Sequence, residues 1–434
     1  MQFAAPKALD HPLIFVAEGQ NAAPRCKFNG SAKGTAMSEP TRIQVEMAKQ
    51  ISPQQELAIV RAAFEKSPTA LMRERLAGLL SLADAFDETV ELLSAAADRG
   101  FWEEMILVQA CLARETSRDD EAARAAAKRA LQLSQKDHER AAALAARAKA
   151  ELRLGKRFAA RSTLAEALRL DPRNMDACKR IAALELASGH TDRLLMLADQ
   201  LAAKGAAHTR LFAARALAHA RAGNLPAARD AIGFEAFRHE RELEPPPGWG
   251  SIGEFNQALA EELLAHPALR YERYGTASEL TWRIDAPATG EAPRARLLLD
   301  QLAGAIGSHL ERIGDADHPW IRARPKSALL RSWCVITEGD GYETWHVHHF
   351  GWLSGVYYVR VPDSIASGTG RGGCLSFGLP PDLAGDSGAA DYGGRLVRPR
   401  EGLMLAFPSH AYHRTFPHGT GEKRICVAFD LRPL

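Results

Sequence analysis

The sequence lacks the marks of several large function classes. Its 55 Lys+Arg nearly balance 53 Asp+Glu for a formal net charge of +2. There is therefore no basic footprint for nucleic acid and none for an anionic membrane. No apolar run approaches a bilayer span: the stretch from Pro12 to Ala17 is far shorter than the roughly 20 residues needed, and it has no cationic lead or cleavage site of a secretory signal. Cysteine is sparse and unpatterned. Cys26, Cys111, Cys178, Cys334, Cys374 and Cys426 form no C-x-x-C pair. They read as buried free thiols in a reducing compartment, which makes a cytoplasmic protein the expectation.

With 434 residues the chain is long enough for two or three domains, each with its own core. Residues 1–40 mix Pro, Gly, Asn and Ala without periodicity, and Met37-Ser38-Glu39-Pro40 stands just before the first helical pattern. Two readings stay open: a loose tail, or translation that begins at Met37, separable by the mass of the native N-terminus.

From about 42 to 238 the chain is rich in Ala, Leu, Arg and Glu with apolar residues at helical spacing, as in Leu164-Ala165-Glu166-Ala167-Leu168-Arg169-Leu170. An all-helical segment is expected. Gly155, Gly189 and Gly223 recur every 34 residues, the period of a helix-turn-helix repeat. Small residues follow Gly155 at Ala160 and Ala167, Ala228 follows Gly223, and Pro172 closes a unit. This pattern resembles the tetratricopeptide (TPR) repeat, in which Gly opens the inter-helix turn, small residues let the helices approach and Pro ends the unit. Segments 69–98 and 122–133 look like degenerate copies. Such a solenoid either holds a peptide or protein on its concave face or serves as a packing scaffold.

Glu244-Pro245-Pro246-Pro247-Gly248-Trp249-Gly250 cannot continue a helix and predicts a stiff linker. The expected division is a tail over 1–40, TPR-like repeats over 41–240 and a second domain over 241–434. In that last part, helices are expected near 253–266 and 292–312 around a strand at 280–284. Short β-branched and aromatic runs follow at 329–336, 353–361, 374–377, 403–407 and 424–431, predicting an antiparallel barrel or double sheet.

The chemistry concentrates there. His346 and His348, one residue apart beside a strand-like run, project to one face in extended backbone and can bite one metal. His413 lies 65 residues further on, in a strand-like piece ended by Pro417-His418-Gly419-Thr420-Gly421. A turn near Gly419 would pair position 413 near 425 and bring Arg424 beside His413. Two adjacent ligands with a remote third describe the facial triad of non-heme iron(II) oxygenases, except that the order here is His, His, His. His349, His410 and His418 read as hydrogen-bonded structural histidines.

Residues 329–431 resemble the iron(II)/2-oxoglutarate-dependent dioxygenases, in particular a bacterial subfamily with an H-x-H segment before a Leu-Ser-Gly-Val-Tyr-Tyr-Val strand. Here these are His346-Val347-His348 and Leu353–Val359, followed by Glu401–Ser409, His413 and Arg424. The resemblance implies a double-stranded β-helix (jelly-roll or cupin-like) domain with Fe(II) on His346, His348 and His413. It also implies 2-oxoglutarate and O2 as co-substrates, with the far carboxylate of the keto acid on Arg424 and Tyr358. The implied reaction yields succinate, carbon dioxide and a hydroxylated product, and the repeats suggest a polypeptide substrate. Two departures stand out: His348 replaces the more usual Asp, and Cys426 replaces a Ser. His348 could instead stand behind the ligands. Two rival functions are a degenerate sensor or binding module on a TPR scaffold, and a three-histidine zinc hydrolase.

Overall fold

The computed structural model describes residues 40–46, 51, 53–114, 119–206, 208–275 and 277–434. The tail, the alternative start at Met37 and Cys26 lie outside the described residues. No helix is long and apolar enough to cross a membrane among those described. The chain forms two compact units, one containing 52–134 and the other joining 40–51 to 135–434.

In the first unit, α1 (Pro53–Lys66), α2 (Ala70–Leu82), α3 (Phe86–Ser94), α4 (Phe101–Ala113) and α5 (Asp120–Leu133) follow one another. Local signals set their ends: Thr69 accepts from the Met72 N–H at 3.3 Å and Asp119 from Ala122 at 2.8 Å, each satisfying an otherwise orphaned donor. On α5, Ala123, Ala126, Ala127 and Ala130 are fully buried, an i, i+3, i+4, i+7 stripe narrow enough for close helix packing. The buried carboxylates do not stand alone: Glu103 pairs with Arg73 at 2.6 Å, and Glu104 with Arg99 at 2.8 Å and Arg129 at 2.9 Å.

The second unit begins with its own helices, α6 (Asp137–Arg153), α7 (Arg157–Leu170), α8 (Met175–Ala187), α9 (Thr191–Ala203), α10 (Thr209–Arg221), α11 (Leu225–Ile232) and the short α12 (Phe234–Phe237). Gly155, Gly189 and Gly223 sit in the turns of α6–α7, α8–α9 and α10–α11 with φ of +72°, +71° and +74°. One left-handed turn thus recurs at the period seen in the sequence, in a conformation that costs glycine little. Ala160, Ala167 and Ala228 are fully buried where the helices meet.

The strand-rich part comprises β2 (His239–Glu242), α13 (Ile252–Leu264), β3 (Arg270–Tyr274), β4 (Ser278–Ile284), α14 (Pro293–Ile313), α15 (Pro319–Arg322), β5 (Ser327–Glu343) and β6 (Leu353–Arg360). It ends with α16 (Asp363–Ala366), β7 (Leu375–Phe377), α17 (Pro381–Ala384), α18 (Asp386–Tyr392), β8 (Arg395–Val397), β9 (Leu403–Pro408), β10 (His413–Thr415) and β11 (Arg424–Pro433). A large sheet runs β2-β9-β6-β11-β5-β4-β3 and a small one β10-β7-β8, all antiparallel. One apolar core holds Phe255 and Leu259 of α13, Leu298 and Leu302 of α14, and Tyr357 and Phe429 of the large sheet. A second core includes Val356, Leu375, Phe377 and Phe407, from both sheets.

One expectation fails at its start. Arg42–Val45 is not the beginning of a helix but β1, paired in parallel with β5. Its alternating exposure is the period of a strand with one covered face. The proline segment lies inside the second unit and is pinned at its start: Leu243 N donates to Gly402 O at 3.0 Å, and Gln301 Nε2 to Glu244 O at 3.0 Å.

Candidate metal centre

The three histidines converge. His346 and His348 lie between β5 and β6, where residue 346 forms an antiparallel bridge with residue 413 through N–O distances of 3.0 and 3.1 Å. His348 N donates to Ser409 O at 3.1 Å, so one segment is laced along the other. Ring centroids are 5.3 Å apart for His346–His348, 4.1 Å for His346–His413 and 4.9 Å for His348–His413. One nitrogen from each lies within 4.8 Å of the others, a set that could hold a metal ion.

Each ring is also held from behind. His346 Nδ1 lies 2.8 Å from Thr344 O and His413 Nδ1 2.9 Å from Ala411 O. A carbonyl only accepts, so Nδ1 carries the proton in both rings and Nε2 keeps its lone pair for a metal. His348 Nδ1 lies 2.7 Å from Asp430 Oδ1, which also accepts from Ser354 Oγ at 2.8 Å. Ser354 and Ser409 share a further hydroxyl contact at 2.6 Å. Burial pushes the pKa of His346 down, and that of His413 further because the other two imidazoles add to the effect of burial. Both stay neutral, the state that ligates. Burial alone would raise the Asp430 pKa, but the neighbouring His348 and the hydrogen bonds from His348 and Ser354 bring it below the ordinary value.

Arg424 is 2 % exposed and lines the same cavity as His348 and His413. Its NH1 donates to Gly373 O at 2.5 Å, while Nε finds no partner. Among the described residues no carboxylate forms an ion pair with it, an arrangement that strongly favours an anion arriving from outside.

Residues 331–430 match the family described as "Putative 2OG-Fe(II) oxygenase".

Among solved structures, a Pseudomonas putida prolyl-4-hydroxylase is similar at 19% identity, covering 46% of this chain and 93% of its own, with a TM-score of 0.31. A thermophilic TPR protein of Thermus thermophilus is similar at 20% identity, over 34% of this chain and 81% of its own, with a TM-score of 0.29. HygX of Streptomyces hygroscopicus, solved with nickel and 2-oxoglutarate bound, is similar at 16% identity over 45% of this chain and 83% of its own, with a TM-score of 0.28. No curated protein matches the chain.

Within this matched segment the route that brings Arg424 to the histidines differs from the expected hairpin. His413 pairs with Phe377 in the small sheet, whereas Arg424 pairs with Thr337 in the large one. The chain crosses from one sheet to the other around Gly419, whose N–H donates to Gly339 O at 2.9 Å. The two residues therefore meet across a cavity rather than along a ladder.

Strand alternation settles which tyrosine faces inward. Tyr358 lines the cavity, while Tyr357 points to the opposite face of β6 and donates to Asn256 Oδ1 at 2.8 Å. Burial raises the Tyr358 pKa despite the opposing charge of Arg424, so its phenol keeps a proton to donate. Cys426 is a cavity residue too; its thiol donates to Val335 O at 3.5 Å, and burial pushes its pKa up to about 11. Gly355 is required by close approach, since a Cβ there would overlap both Leu405 O and the Phe429 ring.

His349, His410 and His418 are not in the cluster. They contact Arg210 at 2.8 Å, Ala231 O at 3.1 Å and Thr337 at 3.3 Å respectively. Sequence reasoning missed Asp430 and Glu343. Asp430 was findable from period 2: Arg424, Cys426 and Ala428 line the cavity, and 430 is the next residue on that face. Glu343 also lines the cavity, with Ser278 Oγ 3.3 Å from its Oε1.

Proposed function

We propose that this chain is an Fe(II)- and 2-oxoglutarate-dependent dioxygenase that hydroxylates a peptide or protein substrate recruited by its TPR-like repeats. The observation that carries the proposal is one cavity lined by imidazoles with free Nε2 atoms and by a buried guanidinium that has no counter-ion among the described residues. In this reading, residues 41–240 recruit and 241–434 catalyse. The five described cysteines are free and buried, which supports the cytoplasm as its compartment.

His346, His348 and His413 would hold the metal. Bound there, Fe(II) supplies the activation of O2 that couples decarboxylation of 2-oxoglutarate, to succinate and carbon dioxide, with hydroxylation of a C–H bond. Arg424 holds the far carboxylate of the co-substrate with a charge that cannot be lost and a fork that fits two oxygens. Tyr358 adds a neutral donor to the same group. Trp333, Val356, Leu375 and Phe407 wall the cavity and keep water from competing for these contacts. Three neutral ligands leave the double charge of the ion uncompensated in the first instance. The carboxylate of Asp430 offsets part of it through the His348 ring, as carboxylates behind ligating histidines do.

The test is release of succinate by purified protein given Fe(II), ascorbate, O2 and 2-oxoglutarate, and its loss in Arg424→Ala. Capture of partners on the repeats, followed by a search for added oxygen mass, addresses the substrate. No succinate from the wild type would favour the degenerate binding module. A three-histidine zinc hydrolase would give metal-dependent hydrolysis without O2, but it leaves Arg424 with no task.

A further inference from the structure

The alternation that aims His346 and His348 at the centre aims Val347 away from it. Val347 is buried in an apolar cluster with Ala213, Leu217 and Ala220 of α10, and Tyr412, the neighbour of His413, is buried in the same cluster. Both ligand-bearing segments therefore lie with their backs on one helix of the repeat array. Polar ties reinforce this at the start of α10. The buried Thr209 Oγ1 donates to Gly351 O at 2.7 Å, and Gly351 N donates back to His348 O at 3.3 Å. Arg210 Nε donates to His349 Nδ1 at 2.8 Å, with NH2 2.8 Å from Nε2 of the same ring. Phe212 packs on His410 with ring centroids 5.0 Å apart. Along α10, Leu211, Phe212, Ala213, Ala214, Leu217 and Ala220 are all buried, so the helix is held over most of its circumference.

We infer that Thr209 and Arg210 are positioning residues for the metal centre, and that α10 and the bound metal form one linked unit. The inference rests on His346, His348 and His413 being the metal ligands. Ligand sets tolerate displacements of only about 0.5 Å, and their accuracy comes from the groups that lock the ligands in place. Here those groups are supplied by a helix that precedes the oxygenase segment in sequence and belongs to a different structural class. Linkage is reciprocal: if the seating of α10 favours the metal, the metal favours the seating of α10 by the same factor.

The experiment uses the full chain with Co(II) as a spectroscopic probe. Affinity and ligand-field absorption are measured for wild type, Thr209→Ser and the double variant Thr209→Val/Arg210→Gln. The expected result is about tenfold weaker Co(II) binding and an altered spectrum in the double variant, the lower end of the loss seen when groups behind ligands are removed. Thr209→Ser, which keeps the hydroxyl, should bind as the wild type does. In the wild type, Co(II) should also slow amide exchange across 209–221, which decides the matter if the double variant does not fold. Wild-type affinity and spectrum in a folded double variant, or exchange in 209–221 indifferent to bound Co(II), would overturn this inference alone. A wild type that binds no Co(II) would overturn the ligand assignment with it.

Discussion

Helices α5 and α10, one on each side of residue 134, are both rich in alanine yet buried differently. On α5 only an alanine stripe is covered, and on α1 Val60 is the buried residue among those described, whereas on α10 burial extends far beyond a stripe, with only Arg210, Arg215, His219 and Arg221 reaching solvent. A stripe marks a helix with one partner; wider burial marks a core helix. Composition sets the helix, and what it packs on sets its role. The α10 segment Leu211-Phe212-Ala213-Ala214 is apolar beyond what a repeat surface needs. Histidine divides the same way: residues 52–134 contain none, while the second unit holds every histidine described.

The largest test of this contrast is removal of a proposed metal ligand. His413→Ala should lower metal affinity roughly a hundredfold or more, read by titration calorimetry, with the melting of the 53–134 helices unaltered. His348→Ala should behave alike; unchanged affinity would place that imidazole behind the ligands instead. Arg424→Ala is expected to raise the half-saturating 2-oxoglutarate concentration by about a hundredfold, the cost of breaking a buried charge pair, with Lys recovering only part.

Core truncations should separate the two sets of helices. Leu80→Ala and Leu217→Ala each remove a fully buried side chain and should each cost about 2–5 kcal/mol. Metal affinity should fall only in Leu217→Ala. An equal fall in both would erase the distinction.

Acid should act on one unit before the other. Burial lowers the pKa of His208 and of His410 to about 3, so in the metal-free protein the unfolded chain takes up protons first as pH falls. Their contribution is complete above pH ~6.5 and is lost below it at about 1.4 kcal/mol per pH unit for each group. Circular dichroism between pH 7 and 4 should show the strand-rich unit unfolding while the histidine-free helices persist. Smallest, Gly189→Ala, at φ +71°, should cost about 1–2 kcal/mol and leave the metal untouched.

Much of this architecture is legible in sequence because it is local. The glycine period, the runs at 353–361 and 403–407, and His346-Val347-His348 need no knowledge of distant partners. Pairing is not legible, since it is decided by what the rest of the chain places nearby. Residues 413 and 425 look like a hairpin across Gly419, yet β10 joins β7 and β11 lies between β5 and β6. Asp430 escapes notice because a carboxylate near a chain end is usually solvated, and only its closeness to His348 gives it a task. β1 reads as helix because four residues carry too short a pattern to compete with the long helical run beside them.

The parallel pairing of β1 with β5 has a consequence for how the protein is made. Arg42–Val45 leaves the ribosome early, but its neighbours Ser327–Leu330 are synthesised only after the whole helical array has emerged. An order of assembly follows: the helices can form as they are made, since their contacts are close in sequence, while the first strand waits and takes its place beside β5 late.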